Sequence, residues 1–237
     1  MKAVLLLLAV SLLTGCSTHM TKIEYQGIGA PTSVAGKAVA EVVVLDQRGT
    51  DGDWLGAVRG GYGNRLKTLR TDKPTDQVVG DAYRAALETS NLYGGQEHGL
   101  FQLRVTITKF DCSYYFNREA HAHLLVSLIE KSTAREVFSQ TYRADEVESG
   151  VGAGIFGDVD TLRQLAERTL NKAIDRNLQD AAFITALTAA TTASRHGNIE
   201  EHRRIEERLR ELKSLFDQGL IDKGEYDAKR VAVMDQL

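Results

Sequence analysis

The stretch FQLRVTITKFDCSYYFNREAHAHLLVSLIE, residues 101–130, decides the fold. Apolar and polar residues alternate in both of its halves, which is typical of strands with one buried face. A turn near residues 115–118 joins the halves into a hairpin. Pairing Val105 with Leu128 and Ile107 with Val126 places both apolar sets on the same face. The apolar positions are Phe101, Leu103, Val105, Ile107, Ala122, Leu124, Val126 and Leu128.

Further strands are predicted on either side of this hairpin. The near-continuous β-branched run from Ala38 to Leu45 is typical of a strand buried on both faces. Residues 54–69 alternate weakly around glycines, which favours a second, bulged hairpin. Residues 136–144 continue the sheet after a turn. We therefore expect a mixed or antiparallel sheet.

Two long amphipathic helices should cover that sheet. Residues 75–92 follow the helix-start signal Pro74-Thr75-Asp76 and have helically spaced apolar residues. The period changes again from Asp158, and the pattern predicts a helix as far as Ile184. The expected fold class is α+β, with a main domain at 38–184.

A small helical hairpin should follow at 200–237, after an Ala/Thr-rich linker at 185–199. Gly219 suits the left-handed position after a helix end. Asp222 and Glu225 form a capping-box variant that begins the next helix. Residues 208–230, RLRELKSLFDQGLIDKGEYDAKR, resemble the SHOCT family of short C-terminal helical hairpins.

That resemblance implies an oligomerisation or interaction module. Two short helices cover each other along a single contact line, so part of their apolar surface should remain for a partner. The alternative is a solvated helical tail. More weakly, the main domain resembles YajG-like and ABC-transport-auxiliary lipoproteins in the order of its elements. The predicted interaction residues are Leu209, Leu212, Phe216, Tyr226 and Val233.

The N-terminus has the layout of an export signal. Lys2 precedes the apolar run from Ala3 to Leu13, which is shorter than the roughly 20 residues a membrane-spanning helix needs. Leu13-Thr14-Gly15-Cys16 resembles the lipobox of bacterial lipoproteins, which implies cleavage after a 1–15 signal peptide and acylation of Cys16, including palmitate. An ordinary secretory signal with a chance cysteine is the alternative.

Lipidation would attach the chain to a membrane without crossing it. Ser17 after the cysteine implies, from the same resemblance, transfer to the outer membrane in a two-membrane host. Residues 16–37 are rich in Gly, Ser and Thr and are predicted to form a lipidated tether to a periplasm-facing domain. The chain has 29 basic and 32 acidic residues, a net charge of −3. Removing the signal takes away only Lys2, and nothing in this balance indicates nucleic-acid binding.

Several residue clusters were weighed as chemical sites. In the register above, Cys112 lies opposite His121 on the face that also carries His123, and such a cluster could hold zinc or copper. No fourth ligand is evident, so no metal or other cofactor is predicted. Asp46, Asp51 and Asp53 are better explained by turn chemistry than by acid–base catalysis. We therefore expect no catalytic residues and no enzymatic activity.

The resulting hypothesis is a lipid-anchored cell-envelope accessory or assembly protein, acting by protein–protein interaction or self-association through its hairpin. The alternative is a periplasmic carrier or sensor that binds a lipid or glycan between sheet and helices. An apolar cavity would favour the carrier. A packed core with exposed apolar surface would favour the accessory role.

Overall fold

The computed structural model describes residues 17–31, 36–149 and 158–234, and the chain divides after Ala186 into two compact units. The first is an α+β main domain built on a mixed seven-stranded sheet, which confirms the predicted fold class. Its strands are β1 (Ser17–Thr21), β2 (Val39–Asp46), β3 (Trp54–Arg59), β4 (Arg65–Thr71), β5 (Phe101–Tyr114), β6 (Asn117–Glu130) and β7 (Glu136–Ser149). The helices are α1 (Thr75–Thr89), α2 (Gly95–His98), α3 (Val159–Leu178), α4 (Ala181–Asp217) and α5 (Lys223–Met234).

The sheet is organised around the long strand β5. One side of β5 pairs with β6 along its whole length, and β7 continues the sheet beyond β6. On the other side, β2 runs parallel to the first half of β5 and β3 runs parallel to its end. The remaining order from β3 is β4 and then β1. Because β2 has only β5 as a ladder partner, Val42–Leu45 stay partly exposed, and the prediction of a strand buried on both faces is wrong.

The register of the β5–β6 hairpin differs from the predicted one. Val105 pairs with Val126 and Ile107 with Leu124, so the predicted pairs are two residues out of register. A bulge at Thr108 then shifts the alternation of β5 by one residue. Cys112 therefore pairs with Ala120 and is buried in the core, so it does not share a face with His121.

Two helices cover one face of the sheet, as predicted. Helix α1 packs on β2, and α3 packs on β5, β6 and β7. The Asp158 carboxylate caps α3 by accepting the backbone N–H groups of Asp160 and Thr161. The core between the layers is filled by large side chains without solvent exposure, among them Tyr83, Phe101, Phe110, Leu103, Ile107, Leu124 and Leu128.

The segment predicted as a linker is helical instead. Helix α3 ends at Leu178, and after a two-residue break α4 runs from Ala181 to Asp217, through the whole Ala/Thr-rich stretch. Alanine has the highest helix propensity of any residue. The hydroxyls of Thr185 and Thr192 donate to the carbonyls four residues earlier, so these threonines are accommodated within the helix. Phe183 of α4 is buried and stacks edge-on against Phe138 of β7.

The described part of the predicted tether is also ordered. Ser17–Thr21 forms β1, which pairs in parallel with β4. Beyond it, the Asp175 carboxylate on α3 accepts hydrogen bonds from the Tyr25 hydroxyl and from the backbone N–H groups of Ile28 and Gly29. Burial and the adjoining Asp175 carboxylate raise the pKa of Tyr25. A composition rich in Gly, Ser and Thr predicts a flexible segment only where no neighbouring element forms hydrogen bonds with its backbone. Here β4 and α3 form such hydrogen bonds.

The C-terminal unit, residues 187–237, contains the predicted helical hairpin in its described part. Gly219 has a φ of +69°, and the N–H groups of Gly219 and Leu220 donate to the carbonyls of Phe216 and Leu215. This pattern ends α4 as a left-handed C-cap. Helix α5 begins with the predicted reciprocal capping box: Glu225 N–H donates to the Asp222 carboxylate at 2.9 Å, and Asp222 N–H donates to Glu225 at 3.2 Å.

Candidate functional site

The hairpin surface carries the predicted interaction residues. Leu212 is buried, Leu209, Tyr226 and Val233 are half-buried, and Phe216 is exposed. The Phe216 and Tyr226 rings contact each other with centroids 4.9 Å apart, so the two helices meet along the predicted stripe. Sequence reasoning missed the more exposed apolar side chains of this unit. These are Leu215, Leu220, Val231 and Met234.

The predicted lipidation residue, Cys16, lies outside the described residues, as do the signal peptide and the glycine-rich segment 150–154. Its neighbour Ser17 is the first residue of β1 and pairs with Lys67, near the start of β4. The β3–β4 turn and the β5–β6 turn lie at this same end of the sheet, because β3 ends beside Tyr114 at the end of β5. The Tyr115 hydroxyl links the two turns by donating to the Gly61 carbonyl at 2.9 Å.

A histidine–aspartate cluster lies on the sheet face opposite the helices. His121 and His123 of β6 point to this face together because they are two residues apart on one strand. Asp145 of β7 pairs with His121, and one carboxylate oxygen, Oδ1, lies 2.6 Å from His121 Nδ1 and 2.9 Å from His123 Nε2. The hydrogen bond from His121 lowers the pKa of the Asp145 carboxyl, so this carboxylate is ionised at neutral pH.

The sequence analysis placed both histidines on one face, but it predicted Cys112 as their neighbour where the structure has Asp145. The mistake has a structural cause, since the bulge at Thr108 turns Cys112 to the other face. Burial raises the pKa of the Cys112 thiol, which keeps it protonated and chemically quiet. The signal that could have found Asp145 is the alternation of polar Arg143 and Asp145 with Tyr142 and Ala144 on β7, but the predicted strand stopped at Ala144.

The aspartates after β2 have structural roles. The Arg48 guanidinium is almost fully buried, donates to the Asp46 carboxylate, and also donates to the carbonyls of Trp54 and Phe110 at 2.7 and 2.9 Å. Although partial burial opposes ionisation, the hydrogen bonds from Arg48 lower the pKa of Asp46. Asp51 and Asp53 both pair with Arg70 of β4. These contacts stabilise the connection between β2 and β3. They agree with the prediction that these aspartates form turns.

A cleft of about 630 Å³ lies between the N-terminal segment and the outer side of α3. Gln26 and Ile28 line one wall, and Glu167, Lys172 and Arg176 line the other. It is separate from the core between α3 and the sheet, where an apolar ligand would have to lie. Among the described helices, none is both long enough and apolar enough to span a membrane.

Comparison with solved structures identifies one protein with a similar fold. The protein XCC0632 from Xanthomonas campestris, described by the family model DUF330, aligns with a TM-score of 0.53 and 16% identity, over 74% of this chain and 99% of its own. The aligned part of the chain has that protein's fold. The PelC dodecamer from Paraburkholderia phytofirmans aligns at 13% identity with a TM-score of 0.32, over 66% of this chain and 96% of its own.

Lipoprotein GNA1162 from Neisseria meningitidis aligns at 13% identity with a TM-score of 0.26, over 57% of this chain and 96% of its own. No protein-family model and no curated protein matches the sequence. The SHOCT-like and YajG-like resemblances therefore stay predictions.

Proposed function

We propose that this chain is a lipid-anchored accessory or assembly protein of the cell envelope, which acts by protein–protein interaction through its C-terminal hairpin. The observation that carries the proposal is the apolar surface of that hairpin: Leu220 is 65% and Val231 59% exposed. Several exposed apolar side chains on so small a unit favour a binding surface. The proposal gives the chain no enzymatic role.

The two helices of the hairpin do not cover all of each other's apolar surface. Ile205 and Leu212 are its buried apolar residues on the first helix, while Leu215 and Phe216 at the end of that helix are exposed. Small helical units of this kind gain stability from association. Each apolar side chain that a partner buries fully lowers the free energy of the complex by roughly 1.5–3 kcal/mol. A second copy or an envelope protein would supply that cover.

The anchor in this proposal is Cys16, with the acyl chains in the outer membrane. Support comes from the position of β1: this strand starts at Ser17, the residue after the cysteine, so the domain would lie close to the membrane. The same end of the sheet presents the exposed aromatic side chains of Tyr62 and Phe116. Aromatic residues of this kind are favoured at the boundary between lipid and water.

We expect Cys16→Ser to abolish lipidation and leave the precursor uncleaved, because the thiol is the group that takes the diacylglycerol. Metabolic labelling with a fatty acid analogue, followed by fractionation of the envelope, measures both effects. Cys112→Ser is the matched control and should be labelled like the wild type, since its thiol is buried in the core. Equal labelling of the Cys16→Ser variant would contradict the anchor.

We expect a chain ending at Ser194 to keep the cooperative melt of the main domain while losing self-association or co-purification. This end point retains Phe183 and Leu187, which are both buried. The full-length Leu220→Glu/Val231→Glu variant should lose association equally, since it changes only exposed positions of the hairpin. Sedimentation velocity of the detergent-solubilised protein measures the effect, and unchanged sedimentation of both variants would remove the support for an interacting hairpin.

The carrier alternative receives less support from the packing. The layer between the sheet and α1 and α3 is filled by buried side chains, including Tyr83, Phe110 and Leu124. The described cleft on α3 lies on the outer side of that helix and not between the helices and the sheet. A packed core together with exposed apolar surface on the hairpin favours the accessory role.

A further inference from the structure

The cluster of His121, His123 and Asp145 is placed by the rigid part of the fold. All three residues lie inside long strands, and the β6–β7 pairing is regular from Asn117 to Leu128. Both imidazoles are half-buried and the carboxylate is exposed, so the cluster is held by the sheet and is open to solvent on one side. Sites built on strands keep their geometry better than sites built on loops.

We propose that this cluster is a binding site for a divalent transition-metal ion, with zinc the best fit, held by His121 Nδ1, His123 Nε2 and Asp145 Oδ1. Imidazole nitrogen and carboxylate oxygen are ligands that zinc takes readily. The three ligand atoms lie within 4.8 Å of one another. This inference is independent of the proposed function, because it rests on the sheet alone.

The distances between the three ligand atoms are close to those that a zinc ion requires. Zinc–ligand bonds of about 2.0–2.2 Å at tetrahedral angles place neighbouring ligand atoms roughly 3.4 Å apart. The two nitrogens lie 2.6 and 2.9 Å from the shared oxygen, so a shift of about half an ångström to an ångström at side-chain tips would admit the ion. Rotation about side-chain bonds supplies such shifts without moving the strands.

Three protein ligands leave one coordination position toward solvent. Water or a donor atom from another molecule would occupy it, as in zinc sites that exchange or activate a ligand. Both negative and positive residues surround the cluster. Asp111 of β5 lies opposite His121 in the strand register, whereas Lys109 of β5 and Arg143 of β7 lie on either side of His123. We therefore expect a site that a strong chelator empties, in contrast to a closed structural centre.

Metal binding would change which nitrogen of each ring carries the proton. In the hydrogen-bonded arrangement, the Asp145 carboxylate accepts from Nδ1–H of His121 and from Nε2–H of His123. A ligand atom must offer its lone pair, so on binding His121 keeps its proton on Nε2 and His123 keeps its proton on Nδ1. The two rings thus change tautomer in opposite directions, which is a signature specific to this geometry.

The test uses the full chain, stripped of metal and titrated with zinc chloride in competition with a chelating dye. We expect one ion bound per chain at this site, and at least tenfold weaker binding for His123→Ala and for the isosteric Asp145→Asn, because each removes one of three ligands. His98→Ala is the matched control, a histidine on α2 outside the cluster, and its affinity should equal that of the wild type.

Long-range proton–nitrogen spectra of the imidazoles provide the second readout. The opposite tautomer changes of His121 and His123 on zinc addition support the proposal, even if one alanine variant fails to fold. The proposal is overturned by absence of saturable zinc binding, by unchanged tautomers at saturating zinc, or by an affinity that Asp145→Asn leaves intact.

Discussion

Val126→Asp is expected to unfold the main domain or to lower its free energy of unfolding by several kcal/mol. Val126 lies in the middle of β6, pairs with Val105 and Gln140, and is 0% exposed. Its side chain faces the helices, in a layer filled mainly by apolar side chains. Burying an unpaired carboxylate costs several kcal/mol or forces it to take up a proton. That cost is a large part of the roughly 5–15 kcal/mol that keeps a domain folded.

Urea denaturation followed by circular dichroism measures this effect. Val147→Asp is the matched control, since it makes the same substitution in the same sheet at a position that is 61% exposed on the opposite face. Exposed substitutions of this kind usually change stability by less than about 0.5 kcal/mol. If Val126→Asp and Val147→Asp unfolded at the same urea concentration, the assignment of the buried face of β6 would be wrong.

Arg48→Ala is expected to cost at least about 1.5–3 kcal/mol, the range for losing a hydrogen bond to a charged group, because the guanidinium makes several of them. The Arg48 side chain is only 4% exposed, and its guanidinium joins three parts of the chain: Asp46 at the end of β2, Trp54 at the start of β3 and Phe110 in β5. Its loss leaves the Asp46 carboxylate without its cation and two carbonyls without donors. The β2–β3 connection should loosen together with the global loss of stability.

Thermal or urea melts of the Arg48→Ala variant measure the loss, and Arg84→Ala provides the control. Arg84 lies on α1 with about half of its side chain exposed, so its ion pair with Asp81 should contribute little. We expect the stability of the control to stay within about 1 kcal/mol of the wild type. A small loss for Arg48→Ala, comparable to that of Arg84→Ala, would contradict the structural role assigned to the buried arginine.

Local patterns predicted much of the architecture. The period-two alternation in residues 101–130 gave the β5–β6 hairpin and its buried face, and the Gly219 and Asp222–Glu225 signals gave the end of α4 and the start of α5. Each of these features depends on residues a few positions apart, so the sequence states it directly. The fold class follows from the same alternation together with two amphipathic helices.

Features that depend on distant partners were not predictable in the same way. The bulge at Thr108 moves Cys112 into the core and brings Asp145, instead of the thiol, to the two histidines. Strand β1 and the contacts of Tyr25 with Asp175 need β4 and α3 to be in place, although they lie far away in sequence. The Ala/Thr-rich stretch indicated a linker because of its shift in composition, yet its alanines favour a helix.

We propose above that the C-terminal hairpin holds the protein to a partner in the envelope. Crosslinking in native membranes followed by mass spectrometry tests it most directly, with the wild-type chain compared with the chain ending at Ser194 and with the full-length Leu220→Glu/Val231→Glu variant. We predict that the wild type gives crosslinks to a second copy or to an envelope protein and that both variants lose them while staying membrane-bound. Retention of every wild-type crosslink by both variants would contradict the claim.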